Sequence, residues 1–263
     1  MNRMKLVSAY KDYGNPDMWD ANSNVKCVTD EQIYANKREG KQVMLLIEPR
    51  SIQPNVYDYV LQVYDQYEYV FTHDSKLLNA LPNAKPILCG GVWCRCENPK
   101  KTKLISMTSS DKELCDLHKE RKKIARKYKD KIDIFGTIDG GEWCDPIDTL
   151  EPYMYSVVIE NHIDDLWFTE KICNCFATKT IPIYYGARDI CAYFNGGGII
   201  ICHSIKELEE KLDYYLENNG FLEFLYEKSE EILQENYELS KQYEKFDEWF
   251  YKTYEKEIGE LFK

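Results

Sequence analysis

Between Tyr155 and Gly186 the chain places a carboxylate, an amide, a hydroxyl, a lysine and a glycine where apolar runs stop and a helical stretch starts. One run, Tyr155 to Ile159, ends at Glu160-Asn161. Another, Ile181 to Tyr185, ends at Gly186. Between them Phe168-Thr169-Glu170-Lys171 opens a segment with helical character that reaches about Thr178. Threonine is a helix-capping residue, so Thr169 predicts a helix start with backbone N–H groups and the positive end of the helix dipole turned toward any anion placed there. Lys171 adds a full positive charge. A diphosphate suits such a place, with Glu160 or Glu170 accepting hydrogen bonds from sugar or ribose hydroxyls. The rings of Phe168, Tyr184 and Tyr185 could stack against a ligand ring.

These groups need elements to hold them. The first hundred residues alternate short apolar runs with polar helical stretches, the pattern of an α/β fold around a parallel sheet. Val43 to Ile47 ends at Glu48-Pro49, and Tyr69 to Thr72 ends at His73-Asp74. Open α/β sheets bind ligands at the carboxyl ends of their strands, which makes Glu48, His73 and Asp74 candidates on that side. Glu97 to Lys103, rich in Lys, Asn and Pro, reads as a linker and predicts a boundary near residue 100. A second α/β unit follows over 101–204, with strands at Leu104–Met107, Ile132–Phe135, Tyr155–Ile159 and Ile181–Tyr185 and a basic helix near Lys112–Lys129. From Ile205 to Lys263 apolar and aromatic residues recur at helical spacing, which predicts helices packed on the sheets.

The 263 residues carry a net charge of -11, with a sequence pI near 5.0, so a nucleic-acid backbone would be repelled by the overall field. The segment Asn2 to Val7 has charge but no apolar stretch for a signal or membrane anchor, which predicts a cytoplasmic protein with no integral membrane segment. The ten cysteines read as reduced thiols. Cys94-x-Cys96 and Cys173-x-Cys175 could also join in a four-thiolate metal site, although their spacing is tighter than zinc knuckles use.

Val-Ile-Glu160-Asn161, then Phe168-Thr169-Glu170-Lys171, then Thr180-Ile-Pro182-Ile-Tyr184-Tyr185-Gly186-Ala187 resembles the signature of the α1,3/4-fucosyltransferases, glycosyltransferase family ten. Upstream, Ser106-Met-Thr-Ser109-Ser110, His118-x-x-Arg121 and Ile132-Asp133-Ile134-Phe135-Gly136 are similar to that family's strand, arginine-bearing helix and following strand. Ile47-Glu48-Pro49-Arg50-Ser51 and Phe71-Thr72-His73-Asp74 look like its shorter acceptor-side signatures. The resemblance spans about Val43 to Cys202, and its last third is the diagnostic part.

The resemblance implies a GT-B arrangement, with two Rossmann-like domains facing across a cleft, the acceptor on 1–100, the donor nucleotide on 101–204 and helices over 205–263. It implies GDP-fucose as donor, a glycan hydroxyl as acceptor, and a donor site of Arg121, Glu160, Asn161, Phe168, Thr169, Glu170, Lys171, Tyr185 and Gly186. Arg121 matches the arginine that binds donor phosphate; the alternative is a solvated helix face among Lys119, Lys122, Lys123, Arg126 and Lys127. His118 could cap the helix or lie on its surface. Inverting transfer needs a base for the acceptor hydroxyl and charge stabilisation for the departing diphosphate. Glu48 is the first candidate base, with His73, Asp74 and Glu31 also open. Lys171 and Arg121 would take the place of a metal, since the sequence has no Asp-x-Asp. Another nucleotide-sugar donor is an alternative, because phosphate-binding parts do not distinguish bases, and an inactive glycan- or nucleotide-binding protein is a second, because the first half is shorter than in the longer fucosyltransferases. The missing anchor suits a bacterial or viral member rather than a Golgi enzyme.

Overall fold

In the computed structural model, which describes residues 2–9, 16–37 and 39–263, strands and helices alternate along most of the chain. The first part runs β1 (Lys5–Val7), β2 (Lys26–Thr29), α1 (Gln32–Ala35), β3 (Gln42–Leu45), α2 (Pro54–Val63), β4 (Val70–Thr72), α3 (Ser75–Ala80) and β5 (Ala84–Pro86). The middle holds β6 (Lys103–Thr108), α4 (Asp116–Tyr128), β7 (Asp133–Phe135), α5 (Pro146–Leu150), β8 (Tyr153–Ile159), α6 (Glu170–Ala177), β9 (Ile181–Tyr185) and β10 (Ile200–Ile201). Five helices finish the chain: α7 (Ile205–Glu217), α8 (Asn219–Glu227), α9 (Glu230–Ser240), α10 (Phe246–Thr253) and α11 (Glu255–Leu261). The α/β class expected from the sequence, with two Rossmann-like parallel sheets and carboxyl-terminal helices, is the class observed.

Contacts divide the chain into two units. The first holds the chain up to Cys89 together with Asp164–Trp167 and Lys245–Lys263; the second holds Gly90–Ile163 and Phe168–Glu244. The boundary therefore falls before the Lys/Asn/Pro-rich stretch read as a linker. That stretch is tied down within the second unit: Lys100 N donates to Glu151 Oε1 at 2.8 Å and Thr102 N to Pro152 O at 2.9 Å. Gly90 already packs there, since a Cβ on it would lie 3.0 Å from Phe168 Cε2 and 3.1 Å from Tyr243 Cβ.

The first unit's sheet has the order β1-β2-β3-β4-β5, every pair parallel. A sheet wound in one direction with right-handed crossovers carries all its crossover helices on one face. Alternate residues of β3 show the result. Met44 and the following Leu46 join Val56, Tyr57 and Val60 of α2 and Leu77 of α3, while Val43 and Leu45 point the other way. That second face is covered by α10 and α11 through Phe250, Tyr251, Tyr254 and Ile258. Burial on both faces explains why β3 and its next residue read as an unbroken apolar run, Val43 to Leu46.

The second unit's sheet has the order β10-β9-β8-β6-β7, again all parallel. The chain runs from β6 outward to β7, then crosses back to β8 and on to β10, so the strand order reverses between β6 and β8. In open α/β sheets ligands bind outside the carboxyl ends of the strands at such a reversal. One face packs Tyr155, Val157 and Ile159 of β8 against Ile124, Ala125 and Tyr128 of α4 and Leu208 and Leu212 of α7. Ser156 points the other way and its Oγ lies 3.2 Å from Ser106 Oγ on β6, which donates to Thr149 O at 2.7 Å. The residue after β8, Glu160, continues this second alternation.

Candidate functional site

At the reversal in the second unit, β8 stops because Glu160 turns its side chain into the start of α6. Glu160 N still donates to Tyr185 O at 3.0 Å, which fixes it beside the end of β9. Its carboxylate is 0% exposed and holds Thr169: Oε1 accepts from Thr169 N at 3.0 Å and from Oγ1 at 3.0 Å, and Oε2 lies 2.9 Å from the same hydroxyl. Thr169 has extended backbone and caps α6, its Oγ1 accepting from Lys171 N at 3.3 Å. Lys171 folds back over the cap. Its Nζ is 3.1 Å from Thr169 Oγ1, 3.0 Å from Glu170 Oε1 and 3.6 Å from Glu160 Oε2, and the side chain is 29% exposed.

The charges are set by position. Burial raises the Glu160 carboxyl, and Glu170 adds to this against the pull of Lys171. Burial alone would depress Lys171, but Glu170 and Glu160 outweigh it and hold the ammonium above its ordinary value. Glu170 is likewise pushed up by burial yet ends below the usual carboxylate range, because Lys171 is in contact with it. A second cation comes from α4. Arg121 is buried rather than solvated, and its Nη1 donates to Ile159 O at 3.2 Å, at the last residue of β8. Burial lowers its pKa against the opposing Glu160 and Glu170, and a guanidinium keeps its charge regardless. His118, one turn earlier, is buried and pushed down to about 4 by burial and by Arg121, Lys171 and Lys112. Its Nδ1 accepts from Leu114 N at 3.2 Å, so it locks the approach to α4 as a neutral ring.

Several expected ligand groups serve the fold instead. Phe168 is fully buried, its ring 5.4 Å from Tyr193, 5.6 Å from Phe194 and 5.4 Å from Tyr243. Tyr184 is buried too, its hydroxyl accepting from Ala187 N at 2.9 Å. Neither ring offers a stacking face, which corrects the aromatic pocket expected around them; Tyr185 is half-buried. Glu160 acts by positioning Thr169 rather than by offering a carboxylate to a hydroxyl. Gly186 has a packing reason to lack a side chain, since a Cβ there would collide with Tyr184 Oη and Glu160 Cγ. Asn161 is half-buried, with its carbonyl accepting from Cys115 Sγ at 3.2 Å.

Two residues that the sequence reading did not place in the donor site lie in this unit. Ser109, just past β6 at the reversal, is buried, and its Oγ has no hydrogen-bond partner among the described residues. Trp93 is 71% exposed, and its backbone N donates to Asn174 Oδ1 of α6 at 2.8 Å. Its Nε1 and Glu170 Cβ both lie within 4 Å of the point a Gly91 Cβ would occupy. An exposed indole near the start of α6 is a readable signal only once the fold brings residue 93 to that helix.

In the first unit the three acceptor-side candidates divide. Glu48 is half-buried; its N donates to Asp30 Oδ1 at 3.2 Å and its carbonyl accepts from Tyr57 Oη at 2.7 Å. His73 is fully buried, with Nε2 3.2 Å from Tyr57 Oη and its ring 4.2 Å from Trp167. Asp74 is buried, caps α3 by accepting from Leu77 N at 2.8 Å and takes two bonds from Arg50 at 2.7 and 2.9 Å. Burial would raise its carboxyl, but Arg50 and the Leu77 amide hold it below the ordinary range. The pair His73-Asp74 closes a strand and starts a helix, a correction to its reading as acceptor ligands. Glu31 is half-buried and accepts from Gln53 Nε2 at 2.8 Å.

None of the ten cysteines forms a disulfide. Among the described residues no group of three or more His, Cys, Asp or Glu side chains is arranged to hold a metal, so the two Cys-x-Cys pairs do not assemble into a four-thiolate centre. Among those residues, no helix is long and apolar enough to cross a membrane.

No family model matches the chain. The α-(1,3)-fucosyltransferase FucT of Helicobacter pylori is 32% identical over 82 residues, a stretch covering 30% of this chain and 17% of that protein. The match thus spans less than a fifth of the relative's length. Among solved structures, an α1,3-fucosyltransferase with GDP superposes at a TM-score of 0.56 and 14% identity, over 94% of this chain and 79% of the other. A pneumococcal O-GlcNAc transferase, GtfA, in complex with UDP and GlcNAc reaches 0.55 at 12% identity, over 90% and 57%. In fold, and in the stretch shared with FucT, the chain is fucosyltransferase-like.

Proposed function

We propose that this chain is an inverting glycosyltransferase that moves a sugar, fucose from GDP-fucose, onto a glycan hydroxyl without a metal ion. The observation that carries the reading is the convergence, at the strand-order reversal of the second unit, of the Thr169-capped start of α6 with two cations, Lys171 and Arg121. Negative charge grows on the diphosphate as the glycosidic bond breaks. Fixed cations and helix amides stabilise that charge with little reorganisation. Glu170 would accept from ribose or sugar hydroxyls, Ser109 would supply a hydroxyl, and the exposed face of Trp93 would stack on a ring. Glu48 is the proposed base that takes the acceptor proton. With Lys171 and Arg121 in place, the diphosphate has its countercharge without a divalent ion, and no Asp-x-Asp is present to hold one.

FucT by name and a fucosyltransferase structure with GDP-fucose, TM-score 0.50 at 15% identity over 79% of this chain and 71% of the other, support fucose as the donor sugar. The similar superposition on a UDP-bound transferase keeps a different nucleotide as the second reading. A thermal-shift screen with GDP, GDP-fucose, GDP-mannose and UDP-sugars, with and without chelator, separates them. Stabilisation by GDP and GDP-fucose that survives chelator, with nucleotide released on incubation with glycans, is the expected result. A response to UDP-sugars alone would discard fucose, and binding without turnover would leave a nucleotide-binding protein.

A further inference from the structure

Asp30, the residue after β2, combines three features that each cost stability. Its φ of 45° is in the left-handed region that a residue with a Cβ rarely adopts. Its side chain is buried, the residue being only 1% exposed. Only one carboxyl oxygen is engaged: Oδ1 accepts from Ile47 N at 2.8 Å and Glu48 N at 3.2 Å, while Oδ2 has no hydrogen-bond partner among the described residues. The backbone is locked as well, Asp30 N donating to Leu45 O and Asp30 O accepting from Ile33 N, both at 3.2 Å. Asparagine would tolerate the same backbone and accept from the same two amides without burying a carboxylate.

We infer that Asp30 is a positioning residue for Glu48, which its Oδ1 clamps through two consecutive backbone amides and holds more firmly when charged. The inference rests on the reading of Glu48 as the base. Tyr57 Oη holds the Glu48 carbonyl from the other side, so the peptide is fixed at both ends while its side chain remains half-exposed. Burial pushes the Asp30 carboxyl up to about 7; the Ile47 and Glu48 amides oppose this, and the charges of Glu48 and Glu31 add to it. The other titratable groups facing it are Cys27 of β2 and Tyr57 of α2, both held protonated by burial, with His73 beyond the Tyr57 hydroxyl. When Asp30 ionises, its bonds to the two amides become charge-assisted, which tightens its hold on the Glu48 peptide.

The test is the pH profile of GDP release from GDP-fucose with water as acceptor. Wild type should gain rate through a limb centred near the pH where Asp30 ionises. Asp30→Asn keeps an oxygen for the two amides but loses the limb, leaving turnover about tenfold below wild type at pH 8 and within about twofold at pH 6, with GDP affinity unchanged. A merely structural role would instead lower the rate equally at every pH. Carboxyl ¹³C titration of Asp30, in wild type and in Glu48→Gln, needs no Asp30 variant: the midpoint should be near neutral and should fall when Glu48 is neutralised. An Asp30→Asn protein with the wild-type limb, or an Asp30 that titrates in the ordinary carboxylate range, would overturn the inference. Near-normal turnover in Glu48→Gln removes the base assignment and the positioning role with it. Absence of turnover in wild type that still binds GDP speaks against the proposed activity, and the ¹³C titration then judges the Asp30–Glu48 coupling by itself.

Discussion

Replacing Lys171 by methionine removes one charge while keeping most of the side-chain volume, and the geometry sets what it should cost. Nζ sits within 3.6 Å of Glu160, Glu170 and the Thr169 hydroxyl, so in the wild type one cation balances two carboxylates beside the first turn of α6. A charge-assisted bond from this ammonium to a phosphate oxygen contributes about 1.5–3 kcal/mol, or about 10- to 150-fold in affinity. The variant also leaves Glu170 without its contacting cation next to the incoming anion, which moves the expectation toward the upper end of that range. Calorimetric titration with GDP at low and high salt is the assay. Wild-type affinity should fall with salt and the variant's should be weaker and flatter, since the screened attraction has gone. Lys206→Met is the control, because Lys206 is 85% exposed and pairs with Glu210 on the same helix. Lys171→Met binding GDP within twofold of wild type, or Lys206→Met losing as much, would refute the proposed phosphate site.

Three further outcomes follow from the packing. His118 titrates near 4 when folded and near its ordinary value of 6.5 when unfolded, so the unfolded chain gains the proton first as pH falls. Its neutral form therefore contributes stability that is complete above pH 6.5 and declines by roughly 3 kcal/mol on going down to pH 4. Urea unfolding of wild type and His118→Gln across that window should show a shallower acid loss in the variant. Gly186→Ala should lower the melting temperature, equivalent to about 1–3 kcal/mol of overpacking, and weaken GDP binding by moving Glu160 off Thr169; unchanged melting would contradict the close approach. Phe250→Ala should cost about 3–5 kcal/mol in urea unfolding, because the ring is fully buried between α10 and the first sheet.

Legibility in the sequence followed local signals. Thr169, followed by Glu170-Lys171 and an apolar stretch, announced a capped helix, and α6 starts there. The runs at Tyr155–Ile159 and Ile181–Tyr185 became adjacent strands within two residues of their expected limits. An aspartate preceding Ser75-Lys76-Leu77-Leu78 is also a capping signal, and Asp74 caps α3. Other features needed the third dimension. Whether Phe168 stacks on a ligand or fills the core depends on Tyr193, Phe194 and Tyr243, which are far along the chain. For Arg121 the sequence left a solvated helix face as the alternative because its neighbours are basic, yet on α4 it points inward to Ile159 O while Lys119 and Lys123 remain outside. Asp30 carries no motif at all; its meaning comes from the meeting of β2 with the end of β3.

The one-way winding of the first sheet bears on how the chain is made. Met4 N donates to Tyr251 Oη at 3.0 Å across 247 residues, and the apolar face of Val43, Leu45 and Phe71 is closed by helices translated after the whole second unit. At ordinary elongation rates Phe71 waits roughly 10–40 s for Phe250 to leave the ribosome. During that interval the second unit, whose main apolar cluster runs from Ile105 to Leu233, can form, while the earlier sheet keeps a greasy face open to chaperones or to neighbouring nascent chains. Biogenesis is thus expected to run from the middle of the chain outward, with the strands synthesised first becoming the last to be sealed.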